Sequence, residues 1–359
     1  MPREDILLLT YKFRIKDGGS KSHHLKRWAN TVNTVWNYCN EASYNQLKKY
    51  SKWLNYYDLN NLTKGSSKEL NLNSATIQQI CKEYTTKRYQ FKKQKLNWRT
   101  SKGSRRSLGW IPCTNQNIKL NKDAFFTFSG KTFKFWKTRE IPKDIRTISL
   151  NEDSRGHWYI NFAVEVDFKK QTGNSEIGID LGLSTNATLS DGRKYNRENI
   201  TKYYEKQLAM AQRANKKHQV TKIYAKIKNI RKDWNHKTAN NILKDSKLVI
   251  VGDVSSSKLT KTKMAKSVLD AGWSQLRSML AYKAIKLGIE FKEVNESWTS
   301  RTCNVCGEIG EHQGLSGLSV RQWECESCHT LHDRDVNAAI NILNVGLGHK
   351  TLIKGIPRL

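Results

Sequence analysis

The sequence predicts a chain in two parts: a small β-barrel interrupted by a helical insertion, then an α/β core that carries a zinc ribbon. Three observations point there. Alternating apolar strands at 6–15 and 158–166 bracket a long helical stretch. Beyond a polar linker at Lys169–Ser175, strands alternate with helices, the pattern of an α/β core. Cys303-x2-Cys306-x18-Cys325-x2-Cys328 has the spacing of a four-cysteine zinc site.

The elements follow in order. The first strand ends in the turn Asp17-Gly18-Gly19. From about Ser22 to Tyr50, the residues Leu25, Trp28, Ala29, Val32, Trp36 and Cys39 recur at three- and four-residue steps, which predicts a helix with one apolar face. A second helix is expected over Ser74–Lys95, with Ile77, Ile80, Cys81 and Tyr84 inward and Lys87, Arg88, Lys92, Lys93 and Lys95 forming a basic surface. Residues 99–107, which include Arg105 and Arg106, are expected to be a flexible basic loop. Phe125–Phe128 and Thr132–Trp136 flank Ser129-Gly130, a hairpin signal, and Trp158, Ile160, Phe162, Val164 and Val166 alternate along one strand face.

In the second part, strands are predicted at 176–181 and 186–189, with a turn at Asp191-Gly192. A basic helical region spans 198–244, followed by the strand Leu248–Val251 and a helix at about 264–287. The strand Ile289–Val294 leads into the cysteines, and a last helix covers about 335–345.

Sixty-three Lys and Arg against 32 Asp and Glu leave a net charge of +31, and 10% of residues are aromatic. Charge on that scale repels itself unless a polyanion compensates it, so a nucleic-acid partner is expected, with aromatics available to stack on bases. No apolar run approaches the length of a membrane span, and Met1-Pro2-Arg3-Glu4-Asp5 does not read as a signal peptide, so a cytoplasmic protein without a membrane partner is expected. Cys39, Cys81 and Cys113 read as buried thiols rather than as a disulfide framework.

Each Cys-x-x-Cys brings two thiolates together on one turn, and two such turns complete a tetrahedron around one Zn²⁺. Four thiolates leave no open position, so the zinc is expected to be structural. His329 and His332 are expected at the surface, outside the ligand set. Hydrolysis of a phosphodiester by two Mg²⁺ ions needs several carboxylates on rigid elements. Asp180 ends the strand of Gly178-Ile179-Asp180-Leu181-Gly182, and Asp335 opens the last helix, where Asp333 is the better cap.

The motifs Gly178-Ile179-Asp180-Leu181-Gly182, Lys237, Asp270-Ala271-Gly272-Trp273, Thr299-Ser300-x-x-Cys303-x-x-Cys306-Gly307 and Asp333-Arg334-Asp335-x-Asn337-Ala338-Ala339 occur in the order seen in TnpB, which this chain resembles. TnpB (OrfB-family) proteins are transposon-encoded RNA-guided DNA endonucleases related to type V CRISPR effectors. The resemblance is clear over about 176–346. It implies a RuvC/RNase H-like nuclease domain at 169–301 and 331–346, with the zinc ribbon at 302–330. It also implies a wedge barrel at 1–20 and 108–168, a helical recognition domain at 21–107 and a basic tail at 347–359. The implied partners are a guide RNA from the transposon end and target double-stranded DNA beside a short adjacent motif, in a prokaryotic cytoplasm at the nucleoid. Lys87, Arg88, Lys92, Lys93, Arg105, Arg106 and Lys237 are the expected nucleic-acid contacts. Neither monomer nor dimer is favoured.

The usual family pattern places a catalytic glutamate after the third apolar strand, where this sequence has Gly252. The neighbouring Asp253 should point to the opposite face of its strand. Glu296, just beyond Val294, resembles the relocated glutamate of one family branch. The expected Mg²⁺ ligands and catalytic residues are therefore Asp180, Glu296 and Asp335, with Asp253 the weaker alternative to Glu296. Two other functions compete: a nuclease-dead RNA-guided repressor, and a DNA transposase. The second lacks any tyrosine- or serine-recombinase pattern.

Overall fold

The computed structural model describes residues 6–121, 124–167, 173–253, 272–310 and 320–349, arranged in two compact units, Met1–Val166 and Asp167–Leu359.

In the first unit, β1 (Ile6–Arg14) leads into α1 (Ser20–Tyr50), α2 (Tyr56–Leu62), α3 (Ser66–Glu69) and α4 (Ser74–Phe91). Six further strands follow: β2 (Trp110–Cys113), β3 (Ile118–Asn121), β4 (Phe125–Phe128), β5 (Lys131–Lys134), β6 (Ile145–Glu152) and β7 (Trp158–Asp167). They form a four-stranded sheet, β1-β7-β6-β2, and a three-stranded sheet, β3-β4-β5. An antiparallel bridge between Ile15 and Phe135 joins the two, reinforced by Lys16 N donating to Lys134 O at 2.7 Å and Trp136 N donating to Arg14 O at 2.9 Å.

Helices and sheets share one hydrophobic core. Trp28 of α1 stands edge-on against Phe128 of β4, with ring centroids 5.1 Å apart, and Trp36 meets both Tyr84 and Trp110. Truncating a buried Trp of this kind to Ala costs about 3–5 kcal/mol.

The structure corrects two expectations here. The second helix stops at Phe91, where Lys92 takes a left-handed cap, rather than running to Lys95. The 99–107 segment is also tied down rather than flexible. Asn37 exchanges two hydrogen bonds with the Arg99 backbone, and Asn33 Oδ1 accepts from Arg99 Nε at 2.7 Å. Arg106 forks onto the buried carboxylate of Glu152 at 2.7 and 2.9 Å. The polar positions of α1 supply backbone partners that a reading based on composition does not see.

The second unit contains a five-stranded sheet in the order β10 (Lys194–Tyr195), β9 (Ala187–Leu189), β8 (Ser175–Asp180), β11 (Ser246–Gly252) and β12 (Glu290–Val294). The first three pair antiparallel, whereas β8, β11 and β12 run parallel. The helices are α5 (Ile200–Tyr203), α6 (Glu205–Arg213), α7 (Lys217–Leu243), α8 (Trp273–Leu287) and α9 (Arg334–Leu347). Along β11, Val249 and Val251 join the core with α7 and α8, while Leu248 and Ile250 pack with Ile342 of α9. The strand is buried on both faces, which is why it reads as a continuous apolar run. Asp270, Ala271 and the 264–271 part of the expected helix lie outside the described residues, as do 311–319 of the expected zinc ribbon and 350–359 of the tail.

Candidate functional site

Asp180 is placed by close packing. A Cβ on Gly178 would fall 2.1 Å from the carbonyl oxygen of Ala339, so only glycine lets α9 lie directly on β8. That contact brings the first turn of α9 to the C-terminal end of β8. Asp333 caps α9 as expected: its Oδ1 accepts from Asp335 N and Val336 N, and its Oδ2 accepts from Lys194 Nζ at 2.6 Å. Asp335 is left half-buried, with Arg321 Nη1 3.8 Å away.

The third carboxylate comes from the turn after β12. A Cβ on Gly252 would lie 2.8 Å from Glu296 Oε2 and 3.1 Å from Glu296 Cβ. The carboxylate of Glu296 therefore fills the space that a side chain at 252 would enter. Asp253 is exposed and accepts from Arg277 Nη1 at 2.9 Å, while its backbone N–H pairs with Val294 O. Asp253, just past the end of β11, is still near enough for its charge to raise the Glu296 carboxyl.

The electrostatics show the convergence of these groups. Burial pushes the Asp180 carboxyl up to about 8, and repulsion from Glu296 and then Asp335 adds to it, against weaker opposing effects of Arg334 and the Leu181 N–H. Burial likewise pushes Glu296 up to about 7, with Asp253 adding and Arg277 opposing. Such a cluster of oxygens suits hard divalent cations, which relieve the repulsion on binding.

In the zinc element, Cys303 N donates to Glu308 O, Gly307 N to Cys303 O, Cys325 N to Thr330 O and His329 N to Cys325 O, closing two tight turns. The four sulfurs lie within 4.8 Å of one another, with Cys303–Cys328 at 3.6 Å and Cys306–Cys325 at 3.5 Å. Zn–S bonds of about 2.3 Å in a tetrahedron put sulfurs about 3.8 Å apart, so the set fits one Zn²⁺. The strands β13 (Gln322–Glu324) and β14 (Leu331–Asp333) form the accompanying hairpin.

His329 is exposed, as expected, but His332 is buried. Its ring packs on Trp323, and its Nε2 lies 3.1 Å from Cys303 Sγ. The two-residue period of β14 turns it inward, a consequence of a strand that the sequence reading did not assign there.

The expected nucleic-acid residues are not equivalent. Lys87, Lys92, Lys93 and Arg105 are exposed. Arg88 is 7% exposed beneath Trp53, 3.9 Å from the ring centroid. Arg106 is committed to Glu152, and Lys237 pairs with Asp233 at 2.7 Å on the surface of α7. Asn337 and Asn341, four residues apart on the apolar face of α9, are buried polar residues to which the sequence reading gave no role. Two amides at helical spacing within an apolar face were the available signal. Among the described residues, no helix is long and apolar enough to cross a membrane.

Residues 159–263 match the family described as "Probable transposase" (OrfB_IS605), and 273–342 match the "Cas12f1-like, TNB domain". A Streptomyces pristinaespiralis protein named as a putative RNA-guided DNA endonuclease is 32% identical over 64% of this chain, and the match spans 63% of that relative's length. The Escherichia coli putative RNA-guided DNA endonuclease InsQ is 25% identical over 97% of this chain and 94% of its own length. A solved complex of Cas12f1 with sgRNA and target DNA shares the fold, with a TM-score of 0.61 and 15% identity over 90% of this chain and 83% of that one. The chain is similar to TnpB/OrfB-family proteins across these segments.

Proposed function

We propose that this chain is an RNA-guided DNA endonuclease of the TnpB/OrfB family in which Asp180, Glu296 and Asp335 hold two Mg²⁺ ions. A guide RNA from the transposon end selects the target double-stranded DNA beside a short adjacent motif. One observation carries this reading: three half-buried carboxylates, from a strand end, a turn and a helix start, lie close enough that Glu296 and Asp335 both add to the raised proton affinity that burial gives Asp180. When bound, the metal pair activates water and stabilises the leaving oxygen of the phosphodiester. Asp180 and Glu296 give up their protons as the site loads, and the positive end of α9 favours an incoming phosphate.

The exposed Lys87, Lys92, Lys93 and Arg105 are proposed to contact nucleic-acid phosphates, as is Lys237 on the basic α7. The four cysteines are proposed to hold one structural Zn²⁺. Gly252 was the reason for entertaining a nuclease-dead repressor, and the filling of its side-chain space by Glu296 supports the nuclease instead.

The test is a cleavage assay on protein co-expressed with RNA from its own locus. We expect Mg²⁺-dependent cutting of a target matched to the guide. Full guided binding without cutting would favour the repressor, and RNA-free protein that binds any duplex equally well would overturn the guided reading.

A further inference from the structure

Glu296 sits on a turn rather than on a strand, so something outside the sheet has to hold it. The turn itself is strained. Trp298 has φ of 71°, a left-handed conformation that a bulky residue rarely adopts, and its side chain is 42% exposed, so its own burial does little to hold it there. Thr299 bonds twice to the carbonyl of Glu296, from its N–H at 3.2 Å and its Oγ1 at 2.7 Å. The carbonyls of Thr299 and Thr302 in turn face α9. Asn337 Nδ2 donates to them at 3.2 and 2.8 Å, and Asn341 Nδ2 at 2.8 and 2.6 Å. Asn337 Oδ1 accepts from Asn304 N at 3.0 Å, next to the first zinc ligand. Both asparagines are at most 2% exposed.

We infer that Asn337 and Asn341 are positioning residues for Glu296: two buried amides on the helix that carries Asp335 clamp the 296–302 turn, hold the Glu296 carboxylate over Gly252, and tie the first zinc knuckle to the same turn. The clamp takes the place of the strand backbone that would position a glutamate at 252. It makes the third carboxylate of the site depend on α9 and on the zinc ribbon. This rests on the reading of Glu296 as a Mg²⁺ ligand.

The proposal is tested on the RNA-loaded full chain with Asn341→Leu, which keeps the branched shape but removes the donors, and with Thr299→Val, which removes the shorter of the two bonds to the Glu296 carbonyl without touching α9. Zinc content and guided DNA binding should stay at wild-type levels. Mg²⁺ binding, followed by calorimetry, should weaken by about 10-fold or more for Asn341→Leu, the usual effect of losing a group that orients a metal ligand, and by less for Thr299→Val. Cleavage should recover at high Mg²⁺. A structural role alone would lower the melting temperature and leave the Mg²⁺ midpoint unchanged, and that result overturns the proposal. If the wild type cuts and loads Mg²⁺ while both variants match it, the clamp is wrong and the nuclease reading stands. If the wild type itself binds no Mg²⁺ and cuts nothing, the nuclease reading is what fails. If Asn341→Leu does not fold, Thr299→Val decides alone.

Discussion

The zinc ribbon and the carboxylate cluster lie at the two ends of one short turn, and they bring their charged groups together in different ways. The cysteines come from two local knuckles with polar groups at their sulfurs: Val305 N donates to Cys303 Sγ, His332 Nε2 lies 3.1 Å from the same sulfur, and Thr330 Oγ1 lies 3.2 Å from Cys328 Sγ. Cys328 is held near 6, low for a thiol, first by the bond from Thr330, whereas burial pushes Cys303 up to about 12 and Cys306 is raised as well. The carboxylates instead come from three elements 39 to 155 residues apart, and burial with mutual repulsion raises the proton affinity of Asp180. A structural metal site is prepared for its ion by nearby sequence. On the proposed reading, an open, reactive one is assembled by the fold and stays under electrostatic tension until its ions arrive.

The largest predicted effects fall on the carboxylates. Alanine at Asp180, Glu296 or Asp335 should each lower the cleavage rate by about 10³-fold, with guide-dependent binding intact, because base pairing selects the target. Asp253→Ala should stay within a few-fold of wild type. If Asp253→Ala abolished cutting and Glu296→Ala did not, the third ligand would be Asp253.

Next in size is the zinc ribbon. Cys303→Ser or Cys325→Ser should release zinc, measured by elemental analysis, and melt the 300–332 region by hydrogen exchange. Soluble, active wild type without zinc would break the comparison at its other end.

A moderate effect is expected at Gly252. Gly252→Ala puts a methyl 2.8 Å from Glu296 Oε2 and should reduce cutting by about 10-fold. Gly252→Glu combined with Glu296→Ala returns the carboxylate to the strand and should recover part of the activity lost in Glu296→Ala alone. No recovery would mean that position 252 does not reach the site.

The electrostatic tension should also appear as a pH dependence of stability. Asp180 and Glu296 keep their protons up to about 8 and 7, against about 3.9 and 4.3 for unfolded carboxyls. Between those limits the folded state binds more protons than the unfolded one. Stability without Mg²⁺ should therefore fall as pH rises from about 4 to about 8. Thermal melts should show a lower Tm at pH about 8.5 than at about 6, a smaller difference in Asp180→Asn, and a larger gain from Mg²⁺ at the higher pH. A Mg²⁺ gain independent of pH would show that no protons are displaced.

The smallest effect is at Lys237. Its exposed pair with Asp233 contributes about 0.3–0.5 kcal/mol, so Lys237→Ala should barely move the melting temperature while weakening RNA binding and lowering its salt dependence by about one counterion.

How far the sequence reaches follows from how local each feature is. The cysteine spacing, the Asp333 cap, the apolar period of α1 and the β4–β5 hairpin all depend on residues within one or two turns of chain, and each was readable in advance. The Gly252 departure was readable too. What could not be read was the partner of each polar group. Arg106 looked like a nucleic-acid contact until Glu152, 46 residues on, claimed it. The 99–107 loop looked mobile until Asn33 and Asn37 bonded to it, and His332 looked exposed until the ribbon hairpin turned it inward.

The sequence by itself determined the charge, the cysteine spacing and the alternation of strands with helices, because periodicity and spacing act over a few residues, while the candidate carboxylates came from the resemblance to TnpB. Only the tertiary structure decided that Glu296 occupies the space left by Gly252, that α9 lies close enough on β8 to bring Asp335 towards Asp180, and that two asparagines hold the turn between the sites. Those outcomes depend on which surfaces pack together at van der Waals distance, and close packing is a property of the folded chain.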